Sequence, residues 1–363
     1  MQPQQIQRPA ITMAMAGLLL KLLPPQPAPS ILSSTSQRRW LSHRRPPPIH
    51  HTTTTTRIKS SGDSSSSYAA TKPATKTSKT VKLTYLEFNG WLWELPGGFR
   101  ILVDPILVGN LDFGIPWLFD AAKKTLNPKD ADGAALQHLN VDLLLITQSL
   151  DDHCHLRTLT KLAAIRPNLP VVTTPNARPI LSALPFTDVT YLEPGQSTTA
   201  GEVTVLATAG PVLGPPWQRP ENGYIVTTAG KSVYYEPHCV YDAGFLRDRA
   251  LRADVLITPV IKQLLPADFT LVSGQEDAVE LAGLLNPSYV VPMSNGEFDA
   301  KGLLAALVST RGTIQAFRAM LADALPDAKV VEPTPGVPLH LCFDDDHDNN
   351  NNNNNNTNSS SSS

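Results

Sequence analysis

Three cysteines in 363 residues are too few for a disulfide framework, and Cys154, Cys239 and Cys342 suit a reduced compartment such as a plastid stroma. Long apolar runs are missing as well. The longest near the start, Ala14 to Leu23, is interrupted by Lys21 and ended by Pro24 and Pro25, well short of the roughly 20 residues that span a bilayer. No transmembrane segment is therefore expected. Acidic residues are absent from residues 1–62, where Arg8, Lys21, Arg38, Arg39, Arg44, Arg45, Arg57 and Lys59 are basic and Ser, Thr and Pro abound. That combination describes an organelle transit peptide, with an ordinary disordered tail as the plain alternative. The hydroxyl-rich composition and the Met13-Ala-Met15-Ala start favour chloroplast (plastid stroma) over mitochondrion.

The far end, Asp344 to Ser363, is acidic, then Asn-rich, then Ser-rich, and has nothing to bury. The expected division is 1–79 transit peptide and linker, 80–343 a single domain, and 344–363 a disordered tail. Twelve of the 30 Lys/Arg and one of the 32 Asp/Glu lie in residues 1–82. Residues 83–363 thus hold 18 basic and 31 acidic residues, a net charge of −13. A body that acidic is a poor partner for a phosphate backbone, which excludes nucleic-acid binding. A small-molecule ligand is the expected partner, and the residues name no protein partner.

What the body does contain is alternation of strand-like and helix-like segments. Val81 to Phe88 alternates apolar and polar residues, Gly90 to Leu95 follows, and a Pro-Gly-Gly turn at 96–98 leads into Arg100 to Val103, together a hairpin meander. Val141 to Thr147 reads as a buried strand, and Leu156, Leu159, Leu162 and Ala163 give the next segment a helical stripe. Further strands are expected at Pro170 to Thr174, Val203 to Ala207, Tyr224 to Thr228, Ser232 to Glu236, Val255 to Thr258, Tyr289 to Pro292 and Lys329 to Val331. Ser273-Gly-Gln-Glu276 reads as a capping box opening a helix to Leu285, and a last helix covers about Thr313 to Leu325. Strand clusters with a few helices between them imply two packed sheets with helices outside.

The stretch with most chemistry is Asp142 to His155, D-L-L-L-I-T-Q-S-L-D-D-H-C-H, an apolar strand running into a turn with two carboxylates and two imidazoles. It resembles the T-H-x-H-x-D-H signature of the metallo-β-lactamase superfamily. Thr147, Asp152 and His153 match, while Gln148 and Leu150 stand where the first two histidines belong. Arg100 to Pro105, ending in D-P, and Pro220-Glu-Asn-Gly-Tyr224 resemble segments of the branch that includes L-ascorbate-6-phosphate lactonase-like hydrolases. So do Phe269-Thr270, the helix from Glu276, and the run from Asn286 to Met293. The resemblance covers about Lys82 to Leu341. It implies a four-layer αββα sandwich of the α/β class with one or two metal ions at one edge.

The resemblance also shows what is altered. The family's bridging Asp falls near Glu236-Pro-His-Cys239, where His238 takes its place, and its final His is Ser294, beside Asn295. Four of five ligand histidines are missing. The body holds only His138, His153, His155, His238 and His340, too few in matching positions for a dinuclear site. Asp152, His153 and His238 would supply three ligands for one divalent ion, Zn, Mn or Fe, if the turns at 147–155 and 236–239 face each other as the family fold implies.

Asp152 and Glu236 are the catalytic candidates, Glu236 as the nearest base. Gln148, His155, Cys239, Ser294 and Asn295 are pocket candidates. Against these stand plainer readings: Asp152 capping the following helix, His153 bonding buried backbone, His155 as an exposed first-turn residue, Cys154 as packing. Three functions follow. The first is an organellar hydrolase-like protein with a reduced metal site, acting on an ester, lactone or phosphoester. The second is a non-catalytic relative without metal, binding a metabolite or a protein. The third, held in reserve, is metal-free catalysis by Cys239 or Cys154 with a neighbouring His.

Overall fold

The structure is a computed structural model and describes residues 80–126, 134–213, 217–294 and 296–343. The expected transit peptide, linker and tail, and Asn295, lie outside these residues. In the first half, the strands are β1 (Thr80–Tyr85), β2 (Trp91–Glu94), β3 (Arg100–Val103), β4 (Asp120–Ala122), β5 (Leu143–Ile146), β6 (Val171–Thr173) and β7 (Val189–Tyr191). The middle contributes β8 (Ser197–Ala200), β9 (Val203–Ala209), β10 (Asn222–Thr228), β11 (Lys231–Tyr235), β12 (Val255–Pro259), β13 (Lys262–Leu265) and β14 (Phe269–Val272). The last are β15 (Tyr289–Met293), β16 (Asp299–Lys301), β17 (Ser309–Arg311), β18 (Lys329–Val330) and β19 (Leu339–Cys342). The helices that cover the sheets are α1 (Leu156–Ile165), α2 (Arg178–Leu181), α3 (Ala243–Asp248), α4 (Glu276–Leu285) and α5 (Ile314–Ala324).

Two seven-stranded sheets form the body, in orders β19-β1-β2-β3-β5-β6-β7 and β18-β15-β12-β11-β10-β9-β8. Each passes from an antiparallel meander to parallel strands, at β3–β5 in one sheet and β11–β12 in the other. Period-2 side chains explain the layering. Trp91, Trp93, Val205, Tyr224 and Tyr235 point between the sheets, while Leu102, Leu144 and Ile146 meet α1 and Ile225, Tyr234 and Leu256 meet α3 to α5. With both faces covered, β5 is apolar at every position, Leu143 to Ile146. The αββα sandwich is thus as the resemblance implies.

Several local expectations need correction. Ser273 does not cap α4; Gln275 holds that position with φ 51°, its side-chain nitrogen bonded to the carbonyls of Val260 and Thr313. Nor does Asp152 cap α1: Asp151 accepts from Leu156 N at 3.1 Å, and His155, expected on the surface, is wholly buried. Two small sheets, β14-β13-β17 and β16-β4, lie beyond the expected strands.

Candidate metal centre

The parallel strands β3, β5, β12 and β15 release their C-terminal ends at one edge of the sandwich, where open α/β sheets present functional loops. Asp104 ends β3 with φ 41°, and its carboxylate is buried. Its Oδ1 accepts from Thr147 N at 2.8 Å, and its Oδ2 from the Thr147 hydroxyl at 2.5 Å and from His153 Nδ1 at 2.9 Å. The Tyr235 hydroxyl reaches the same oxygen at 3.4 Å. A buried carboxylate on Nδ1 holds the proton there and orients the ring with Nε2 toward Asp152, an arrangement that metal-ligating histidines use once Nε2 has given up its proton.

Nε2 of His153 lies 3.2 Å from Asp152 Oδ2 and 3.1 Å from the side-chain nitrogen of Asn89. Asn89 also donates to the Asp152 carbonyl at 3.2 Å. Burial alone would lower the His153 pKa, but Asp152 and Asp104 outweigh it and hold it up at about 10. Asp152 is kept below the usual carboxylate range: burial pushes it up, and His153 more than reverses this.

Across from this loop, the turn after β11 brings in His238. Its ring centroid is 5.2 Å from that of His153, and Gln148 Nε2 lies 2.7 Å from its Nδ1. The two turns do face each other. Burial, with His153 opposite, lowers the His238 pKa to about 3, so the ring is neutral, the form a ligand needs.

Glu236 makes this turn. Its fully buried Oε2 accepts from His238 N at 3.1 Å and Val240 N at 2.6 Å, and Oε1 is 3.9 Å from His238 Nδ1. Burial raises its pKa to about 8. The general-base role expected for Glu236 does not follow from this geometry: Oε2 is held by two backbone amides, and Oε1, buried without a hydrogen-bond partner, lies enclosed 3.9 Å from His238 Nδ1. It positions His238.

A divalent ion fits the residues present. One ligand atom from each of Asp152, His153 and His238 can be chosen so that all lie within 4.8 Å of one another. The 3.2 Å between Nε2 and Oδ2 is close to the roughly 3.3 Å edge of a tetrahedron with bonds of about 2.0–2.1 Å. Asp152 Oδ1 and Gln148 Oε1 are buried without a hydrogen-bond partner, a costly state that a cation or ordered water relieves. Two imidazoles and a carboxylate suit Zn, Mn or Fe.

Of the other expected pocket residues, the His155 and Cys239 side chains lie away from the triad. His155 Nδ1 bonds Thr158 Oγ1 at 2.8 Å, on the α1 side, with its pKa lowered to about 4 by burial. Cys239 packs with Tyr234 and Leu246 under the helices. Both buried thiols are pushed up by burial, which removes the thiolate that metal-free cysteine catalysis requires. Ser294 is half-buried at the end of β15, and among the described residues no hydrogen bond joins its side chain to the triad. Trp217 is 84 % exposed on the β9–β10 connection. Asp104, Asn89 and Tyr235 were not among the sequence candidates. Only Asp104 carried a signal, a carboxylate at a strand end before proline.

The sandwich and the ligand cluster at its edge define a metallo-β-lactamase-fold protein. The model of the β-lactamase superfamily domain matches residues 82–294, and the chain belongs to that superfamily. Among solved structures, the isothiocyanate hydrolase from Delia radicum gut bacteria is 16% identical with TM-score 0.51, over 72% of this chain and 99% of that one. An E377D mutant of the CmlA β-hydroxylase is 18% identical with TM-score 0.50, over 75% of this chain; this chain spans only 55% of its length. The metallo hydrolase Igni18 from Ignicoccus hospitalis is 20% identical with TM-score 0.49, over 73% of this chain and 100% of that one. At these identities the likeness is one of fold. No curated protein sequence matches the chain.

Proposed function

We propose that the protein is a hydrolase with a single-metal site on Asp152, His153 and His238, acting on an ester, lactone or phosphoester. The observation that carries this reading is the chain Asp104–His153–Asp152, in which a buried carboxylate sets the imidazole and the next ligand atom stands 3.2 Å away. A divalent ion bound there would supply Lewis-acid polarisation of a carbonyl or phosphoryl oxygen. Asp152 Oδ1, buried and unpartnered, is the oxygen available to take a proton from the attacking water, and Asn89 fixes the Asp152 backbone. Gln148 and Glu236 hold His238 from two sides.

Metal content of the full chain, purified without a His tag, tests the reading beside the variant Asp152→Asn/His238→Ala. Near-stoichiometric metal that disappears in the variant is expected. A folded, metal-free protein indifferent to added zinc, manganese or iron would sink it.

A second reading, a non-catalytic relative that binds a metabolite or protein, draws on Gln148, a neutral side chain that bonds His238 at a position where the family places a ligand. Its mark is ligand-dependent thermal stabilisation without turnover. The basic, acid-free N-terminal residues support plastid targeting, and import by isolated chloroplasts checks it.

A further inference from the structure

Scattered exposed apolar side chains are ordinary on a protein surface, and a cluster of them is not. Of the seven large apolar residues left exposed among the described residues, five occupy three connections: Trp117, Val212, Trp217, Leu303 and Leu307. Each connection leaves its strand at the edge that carries the triad. Residues 105–126 follow Asp104, and residues 295–312 follow Ser294. Residues 210–221 join β9 to β10, whose Asn222 donates its N–H to the Thr147 carbonyl at 3.0 Å. The first two connections are knitted together, since Leu304 N donates to the Leu118 carbonyl at 3.0 Å. Their apolar base reaches the site through Phe88, which stacks on Phe298 at 5.4 Å and precedes Asn89. On the other flank, Ser149 Oγ donates to Glu221 at 2.6 Å, and Asn176 donates to the Arg219 carbonyl at 3.1 Å, which anchors the connection bearing Trp217. Apolar side chains therefore stand out from the protein on both sides of the triad.

Charge selects what they meet. Residues 83–363 carry a net charge of −13, yet each of the three connections holds as many basic as acidic residues. An acidic body repels anionic surfaces, while charge-balanced connections with projecting indoles suit the interface of an uncharged or zwitterionic lipid layer, where tryptophan partitions well. We propose that the triad edge docks on a net-neutral lipid surface, and that the substrate is an amphiphile whose ester-type bond lies at the headgroup level. The inference rests on the proposed metal site and adds its substrate class.

The test is co-sedimentation of the full chain with phosphatidylcholine vesicles, with and without added phosphatidylglycerol, beside the variant Trp117→Ser/Trp217→Ser. Expected are binding to phosphatidylcholine alone, a blue-shifted tryptophan emission on binding, and a loss of at least about tenfold in partitioning in the double variant at an unchanged melting temperature. Trp91 and Trp93 are buried and should not respond. Absence of binding to phosphatidylcholine, binding that requires phosphatidylglycerol, or equal binding by the variant would each overturn the proposal. So would a dimer that the double variant breaks without any vesicle binding, because the apolar edge would then face a second copy. Metal content separates the two readings: if the wild-type chain holds no metal but still partitions onto vesicles, the metal site fails and the docking edge stands, whereas an Asp152→Asn/His238→Ala variant that loses metal and still partitions leaves both standing.

Discussion

At 2.9 Å, the bond from His153 Nδ1 to Asp104 Oδ2 links the end of β3 to the candidate metal centre, and Thr147 and Tyr235 complete the shell around that carboxylate. A neutral amide in its place keeps the shape but removes the charge that orients the imidazole and raises its basicity. Asp104→Asn is therefore expected to weaken zinc binding by about 10–100-fold, the usual cost of losing such a supporting group. A competition titration against a chromophoric chelator measures it, and unchanged affinity would remove Asp104 from the site. The sequence showed this residue only as half of a D-P fold marker. Its contact with His153 spans 49 positions, a separation that no local pattern encodes. Asp152 and His153 were readable as matches to the superfamily signature after an apolar strand, and His238 as the residue near the place of the family's bridging Asp. His155 misled: proximity to the motif suggested exposure, while the chain turned it inward against Thr158.

At the scale of elements, β9, β10 and the turn after β11 act together beneath His238. Gly223 of β10 pairs with Thr208 of β9, and a Cβ added there would lie 2.7 Å from Thr208 Oγ1 and 3.0 Å from Glu236 Cγ. Gly223→Ala should thus cost about 1–3 kcal/mol of stability, the range for overpacking, and displace the carboxylate that holds His238 N. Denaturant unfolding reads the first effect and metal affinity the second; loss of neither would show that the row yields freely. Strands with strong apolar content, such as β5, β9, β10 and β12, were legible from their residues. β4, β16 and β17 were not, since they are three residues each, with Ala121 of β4 their one buried side chain, too short for a period of two to show. The Ser273 capping pattern failed because Gln275, in the left-handed region, bonds two backbone carbonyls and sets the helix start itself.

For the whole molecule, the sandwich was legible because five family-like segments occur in order, whereas the pairing of two half-sandwiches through Asn222 and Thr147 depends on tertiary contact alone. The buried ionisable groups then set how the metal-free fold responds to pH. His155 and His238 have folded pKa values of about 4 and about 3, below the ordinary 6.5. Their contribution is present above 6.5 and is lost as pH falls through those values, on the order of 3 kcal/mol for wholly buried His155. Glu236 moves the other way, from 4.5 to about 8, and His153 from 6.5 to about 10. Their contribution is full below the ordinary values and is lost as pH rises through the folded ones. Burial also raises Asp151 from 3.8 to about 6, so up to about pH 6 Glu236 and Asp151 offset the two falling histidines and stability changes little. The histidines prevail from there to 6.5, and above 6.5 Glu236 and His153 pull stability down. Melting temperature of the chelator-treated protein should therefore peak near pH 6.5 to 7. Glu236→Gln, neutral at every pH, should lessen the decline between 6.5 and 8, and His155→Asn should raise stability near pH 5 relative to pH 7. A wild-type curve that does not fall between pH 6.5 and 8 would mean that neither Glu236 nor His153 keeps its proton in the fold there, and would overturn this assignment.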